Sequence, residues 1–174
     1  MPSAVRETVP PHTPASRVAT DLALAKARDV AAGLGPGVVV LGADTLVVLD
    51  GRPFGKPASP DEARAMLAAL RGRAHEVVTG VAVLETTAPR REVAEAVISR
   101  VVMRDYPAAE LEAYVATPEP YDKAGAYAVQ GGGGRLVARV EGCYTNVVGL
   151  PVRTTARLLR AFGLEPIDPG HVSD

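Results

Sequence analysis

Gly42-Ala43-Asp44-Thr45 follows directly on the apolar run Val38-Val39-Val40-Leu41. A carboxylate at the C-terminal end of a buried strand lies where ligand crevices open in an α/β sheet. There Asp44 could bind a metal or orient a water, or it could cap a turn. Gly55-Lys56-Pro57 comes next. Proline fixes the chain just after the lysine. A hairpin at Asp50-Gly51 would fold Lys56 back towards Asp44, where an ammonium could neutralise phosphate charge. Taken alone, the tripeptide also reads as a solvated surface lysine. Lys26 sits in a mostly apolar helical segment and either faces a ligand or snorkels from the helix edge. Asp122, Lys123 and Gln130 place an acid, a base and an amide in one glycine-punctuated loop. Gln130 carries both a donor and an acceptor, which suits the edge of a nucleobase.

Other signals are blander. Gly131 to Gly134 is not followed by the Gly-Lys-Ser/Thr of a phosphate loop and reads as a flexible hairpin tip. His75 precedes a strand and reads as a hydrogen-bonded structural histidine. Cys143 reads as a small apolar residue. Thr145 and Asn146, polar between apolar neighbours, suggest close packing or a ligand role. No His/Cys/Asp/Glu spacing marks a zinc site, and there is no Gly-x-Ser-x-Gly elbow.

These residues need a scaffold. The prolines of residues 1–14 predict an irregular lead-in. Residues 15–34 read as a helix stopped by Gly33 and Gly35. Residues 38–41 read as a short strand buried on both faces, and 45–49 as a second β stretch that pairs back over 52–54. Ser59-Pro60-Asp61-Glu62 opens a helix that ends at Gly72, with Ser59 as its cap. Residues 76–85 and 93–106 read as a long antiparallel pair, 108–115 as a short helix and 136–140 as a strand. A turn then leads to a closing helix begun near Pro151. The interleaving predicts a single α/β domain over residues 1–174 with a mixed sheet.

Composition narrows the function classes. Nineteen Lys and Arg balance twenty Asp and Glu, for a formal net charge of −1. No global basic field exists to hold a nucleic-acid polymer. Aromatic residues make up 4%, with no Trp, which argues against base-stacking platforms for single strands. A single cysteine excludes an internal disulfide framework, and no apolar run approaches a membrane span of roughly 20 residues. A cytoplasmic enzyme or binding module, with no membrane partner, is the expectation.

Taken in order, several segments resemble the Maf family of nucleoside triphosphate pyrophosphatases. They are Leu24-Ala25-Lys26-Ala27, Val40-Leu41-Gly42-Ala43-Asp44-Thr45, Gly55-Lys56-Pro57 and His75-Glu76-Val77-Val78-Thr79-Gly80-Val81. Asp122-Lys123-Ala124-Gly125-Ala126-Tyr127, Gln130-Gly131 and Asn146-Val147-Val148-Gly149-Leu150-Pro151 continue the match. The resemblance covers roughly residues 3–163. It implies an elongated, inosine-triphosphatase-like α/β fold, with a mixed β-sheet flanked by helices, a central cleft and commonly a homodimer. It implies hydrolysis between the α and β phosphates with a divalent metal, Mg²⁺ or Mn²⁺.

By the match, Asp44 would accept a proton and help hold the metal, and Lys26, Lys56 and Lys123 would face the phosphates. Thr45 and Gln130 would select the base, with Gln130 pointing to the UTP/dTTP subgroup. Glu7 would be a metal ligand, although Arg6 stands beside it where the family has an acid. The family pattern also opens with a strand and a Ser-x-Ser-Pro-Arg-Arg turn, about 25–30 residues that have no match from Met1 onward. The sheet is therefore expected to lack a strand and the phosphate site its strongest cations. The alternative function is a catalytically impaired nucleotide-binding or regulatory protein.

Overall fold

The computed structural model of the chain describes residue 5 and residues 13–166. Five strands form one sheet in the order β2-β1-β3-β4-β5. They are β1 (Val39–Leu49), β2 (Arg52–Phe54), β3 (Ala74–Glu85), β4 (Glu92–Met103) and β5 (Val137–Glu141). The helices are α1 (Ala15–Ala31), α2 (Pro60–Leu70), α3 (Ala108–Val115), α4 (Tyr144–Val148) and α5 (Val152–Arg160). The α/β class is as expected, with helices laid on a single sheet. All the strand pairings among the described residues are antiparallel, where some parallel pairing was expected. Short hairpins join β1 to β2 and β3 to β4, and α2 carries the chain across β1 to its other edge.

The ladder corrects the reading of the first strand. Residues 38–41 and 45–49 are not two strands, because Gly42 and Asp44 do not break the chain. They pair with Ala82 and Gly80 of β3, so β1 runs on through them. Asp44 is therefore in mid-strand, not at a strand end. Nor is the early run buried on both faces: Val38 is 37% and Leu41 is 41% exposed. The partner β2 reaches only residues 47–49, so among the described residues the first part of β1 is a sheet edge.

Two further expectations change. The glycine run is no hairpin tip. Gly132–Leu136 forms a 3₁₀ turn gripped by the Glu119 carboxylate, which accepts the amides of Gly132 at 2.9 Å and Gly133 at 3.0 Å. The Tyr114 hydroxyl donates to the same carboxylate at 2.9 Å. Between β5 and the closing helix the chain inserts α4, which ends at Gly149 in a left-handed conformation.

Strand side chains alternate between the two faces of a sheet. Even-numbered residues of β1 and β3 face α1, where Leu46, Val48 and Val78 pack with Val18, Ala19 and Leu22. Odd-numbered residues Val47, Leu49 and Val77 face α2 and α3, where Leu67, Leu70 and Leu111 complete the larger core. Helix α1 sits unusually low on its face. A Cβ on Gly80 would lie 2.2 Å from the Ala19 carbonyl oxygen, and one on Gly42 would lie 2.3 Å from the Ala23 oxygen. Ala19, Ala23 and Ala27 recur every fourth residue, so the helix turns its smallest side chains to those glycines. Any side chain at Gly42 or Gly80 must lift the helix.

Overpacking of a fixed interface costs roughly 1–3 kcal/mol. Gly80→Ala is expected to lose stability at the upper end of that range in urea unfolding. Gly35→Ala, whose Cβ would meet nothing within 4 Å, is expected to stay within about 0.5 kcal/mol of the parent. Equal melting of the two variants would contradict the seating of α1.

Candidate active site

A cleft of about 270 Å³ opens at the edge of β1, where β2 stops. Its polar lining includes Lys26, Asp44, Thr45, Lys56, Asp122 and Lys123. Its apolar lining includes Val47, Phe54, Val77, Tyr127 and Val147. Because the cleft spans the strand edge, it collects side chains from both faces of β1: Asp44 from the α1 face and Thr45 and Val47 from the other.

Lys26 and Asp44 are 18 residues apart and meet because α1 lies on β1. The Lys26 ammonium donates to Asp44 Oδ1 at 2.5 Å. The Asp44 side chain is 5% exposed and that of Lys26 24%, so the carboxylate is almost wholly desolvated and the lysine is partly exposed. A buried carboxylate needs such a partner to keep its charge.

Lys56 reaches the cleft from the loop after β2. The Gly125 amide donates to the Gly55 carbonyl at 3.0 Å and ties that loop to the segment carrying Asp122 and Lys123. Lys123 donates to Asp122 at 2.6 Å. This bond holds the Asp122 carboxyl below its ordinary range, with the Lys56 charge adding to the effect.

Below the apolar wall, the Tyr127 hydroxyl lies 2.7 Å from His75 Nε2, and the two rings meet edge to face. His75 is 3% exposed, and burial pushes its pKa down to about 4. Burial likewise pushes the Tyr127 phenol up. The structural reading of His75 agrees with this geometry. Cys143 is half-buried, with its sulfur 3.2 Å from the Thr145 hydroxyl.

Of the residues singled out in the sequence, Lys26, Asp44, Thr45, Lys56 and Lys123 come together around the cleft. Gln130 does not line it; its neighbour Val129 does, and Gln130 itself is exposed. Glu7 lies outside the described residues. Among those described, no group of three or more His, Cys, Asp and Glu could hold a metal ion, and no helix is long and apolar enough to cross a membrane.

Sequence reasoning marked Asn146 for close packing or a ligand role but missed Thr79, and with it the polar layer beneath Thr45. The Thr45 and Thr79 hydroxyls are 2.9 Å apart, and Thr79 donates to the Asn146 carbonyl at 3.0 Å. Asn146 donates through its side-chain amide to Val77 O at 3.0 Å and Ser99 Oγ at 2.9 Å. The same signal was present at Thr79, a polar residue embedded in a valine-rich segment. The Glu119 grip was missed as well, since its partners are backbone amides with no sequence signature.

Residues 1–162 match the family model described as Maf-like protein. A protein named dTTP/UTP pyrophosphatase from Moorella thermoacetica is 52% identical over 164 residues, 94% of this chain and 84% of that protein. Another of that name, from Pelotomaculum thermopropionicum, is 45% identical over 163 residues, again 94% of this chain and 84% of its own length.

The buried His75 makes stability depend on pH. Its folded pKa, about 4, lies below the ordinary 6.5. Between those values the unfolded chain binds a proton that the folded chain does not. Stability is therefore full above pH 6.5 and falls as pH drops towards 4, by on the order of 3 kcal/mol at about 1.4 kcal/mol per pH unit. Urea midpoints measured across that window are expected to show this slope, and His75→Gln is expected to flatten it. An unchanged slope in the variant would contradict the assignment.

Proposed function

This chain belongs to the Maf family, and from that premise we propose that it is a nucleoside triphosphate pyrophosphatase acting on dTTP and UTP. The observation that carries the reading is the Lys26–Asp44 pair at 2.5 Å in a cleft that also receives Lys56 and Lys123. The names of the relatives and the coverage of the alignments support it. The binding-only alternative is not favoured, because the matched relatives are named as enzymes along 94% of this chain's length.

A triphosphate carries several negative charges, and water attacks phosphorus only when these are screened and the reactants are aligned. Lys56 and Lys123 reach the cleft from two loops tied together by the Gly125–Gly55 hydrogen bond, so they can clasp a polyphosphate between them. Lys26, which also lines the cleft, adds a third cation beside Asp44. Asp44 then serves as general base. It takes a proton as the water oxygen bonds to the α-phosphorus, while the bond to the α–β bridging oxygen breaks. The products are the nucleoside monophosphate and pyrophosphate. The base lies against the apolar half of the cleft, beside Val47, Val77 and Tyr127.

A hard divalent cation would fit this lining if the protein and the substrate hold it jointly. Such ions are usually held by one or two carboxylates together with substrate phosphates, not by an all-protein cage. Asp44 and Asp122 supply carboxylates at the cleft. When bound, a Mg²⁺ or Mn²⁺ ion would neutralise charge building on the phosphate oxygens. A homodimer and a cytoplasmic location complete the reading; the family resemblance is their support.

Pyrophosphate release from dTTP and UTP, measured with Mg²⁺ and with EDTA, tests the proposal. Metal-dependent release is expected, and Asp44→Asn is expected to lower kcat by 10²–10⁴-fold, the usual range for a lost general base. Lys56→Ala should act mainly on KM. Turnover that survives Asp44→Asn unchanged would contradict the assignment of the base.

A further inference from the structure

The hydroxyl protons beneath the cleft can be counted. A main-chain carbonyl only accepts hydrogen bonds, and a hydroxyl has one proton to donate. The Asn146 carbonyl takes the Gly149 amide at 3.0 Å and the Thr79 hydroxyl at 3.0 Å. Having donated there, Thr79 can meet Thr45, 2.9 Å away, only as an acceptor. Thr45 must therefore spend its own proton on Thr79. The opposite order would set the Thr79 oxygen against the Asn146 oxygen, lone pair to lone pair. Thr79 and Asn146 are both 0% exposed, so no bulk water could relieve that contact. The two bonds of the Asn146 side-chain amide hold this carbonyl in place.

What Thr45 can offer a ligand is lone pairs alone. It sits on the face of β1 that also carries Val47, opposite the face that carries Asp44. A base lying on that side meets an acceptor of fixed polarity. Uracil and thymine carry a donor at N3, whereas cytosine carries an acceptor there.

We infer that Thr79 is a positioning residue for base selection: bonded to the Asn146 carbonyl, it locks the Thr45 hydroxyl as an acceptor, so that the cleft takes a base with N3–H and rejects one with a bare N3. The inference rests on the reading that the cleft binds a nucleoside triphosphate, and it adds a residue that touches no ligand. Removing the Thr79 hydroxyl frees the Thr45 proton to turn towards the cleft. Cytidine nucleotides should then gain affinity, an outcome that a merely structural role for Thr79 would not produce.

The test compares the parent chain with Thr79→Val, Thr79→Ser and Thr45→Val. Dissociation constants are measured by calorimetry for UTP and CTP analogues with a methylene group in place of the α–β bridging oxygen, and kcat/KM for UTP and CTP themselves. The parent is expected to prefer the uridine nucleotide by about tenfold, the value of one hydrogen bond of the right polarity. Thr79→Val should shrink that ratio to within about threefold, chiefly by tighter cytidine binding, and Thr79→Ser should restore it. Thr45→Val removes the acceptor directly and should also erase the preference, which keeps the test alive if Thr79→Val does not fold. A ratio unchanged across the variants, or uridine and cytidine binding weakened in parallel by Thr79→Val, would overturn the inference. Discrimination in binding without turnover would sink the hydrolytic reading and leave the proton order standing. Turnover without discrimination would do the reverse.

Discussion

Helix α1 lies on the sheet with no side chain between its backbone and two glycines, and the site depends on that contact. Gly42 and Gly80 sit side by side on neighbouring strands, in the ladder that pairs Gly42 with Ala82 and Asp44 with Gly80. The helix backbone passes within 2.3 Å of where a Cβ would stand on either glycine. A helix at ordinary packing distance from a sheet stands off by the length of the intervening side chains. Here that layer is absent, and the Lys26 ammonium comes within 2.5 Å of the Asp44 carboxylate. The same contact buries Asp44 and supplies the cation that makes its burial tolerable.

The second constraint is the edge of β1. A mid-strand residue in a fully paired sheet has neighbours on both sides and opens only onto one face. Among the described residues, β1 is paired on one side along most of its length, and β2 covers only its last residues. A cleft at that edge can reach both faces, so Asp44 and Thr45 line the same space although they point in opposite directions. The division has a chemical use. The α1 face of β1 gives the cleft the Lys26–Asp44 pair, and the other face gives it Thr45 and Val47. A nucleotide, anionic at one end and flat and mostly apolar at the other, has that same division.

Much of this was legible in the chain. Buried valine runs, the Asp50-Gly51 turn and the Ser59-Pro60 helix start all mark elements that formed close to where the pattern put them. Asp44 and Lys26 stood out because a charged residue in an apolar setting is costly and so invites a reason, and Lys56 because the Asp50-Gly51 hairpin folds it back towards Asp44. Three things were not legible. The reading of residues 42–44 as a break failed because glycine and aspartate disfavour strands locally, and only the β3 ladder overrides that preference. The glycine run looked loose because its anchor, Glu119, bonds to backbone amides that any sequence possesses. The Thr45–Thr79–Asn146 chain joins residues up to about a hundred positions apart, and no local spacing encodes it.

The most direct test is a crystal structure of the chain with Mg²⁺ and a non-hydrolysable dTTP or UTP analogue. The expected result places the polyphosphate among Lys26, Lys56 and Lys123, with the α-phosphorus nearest Asp44. The base should then lie along Val47 and Val77, with N3 towards Thr45. A nucleotide bound elsewhere on the sheet, or seated with its base against the Lys26–Asp44 pair, would contradict it.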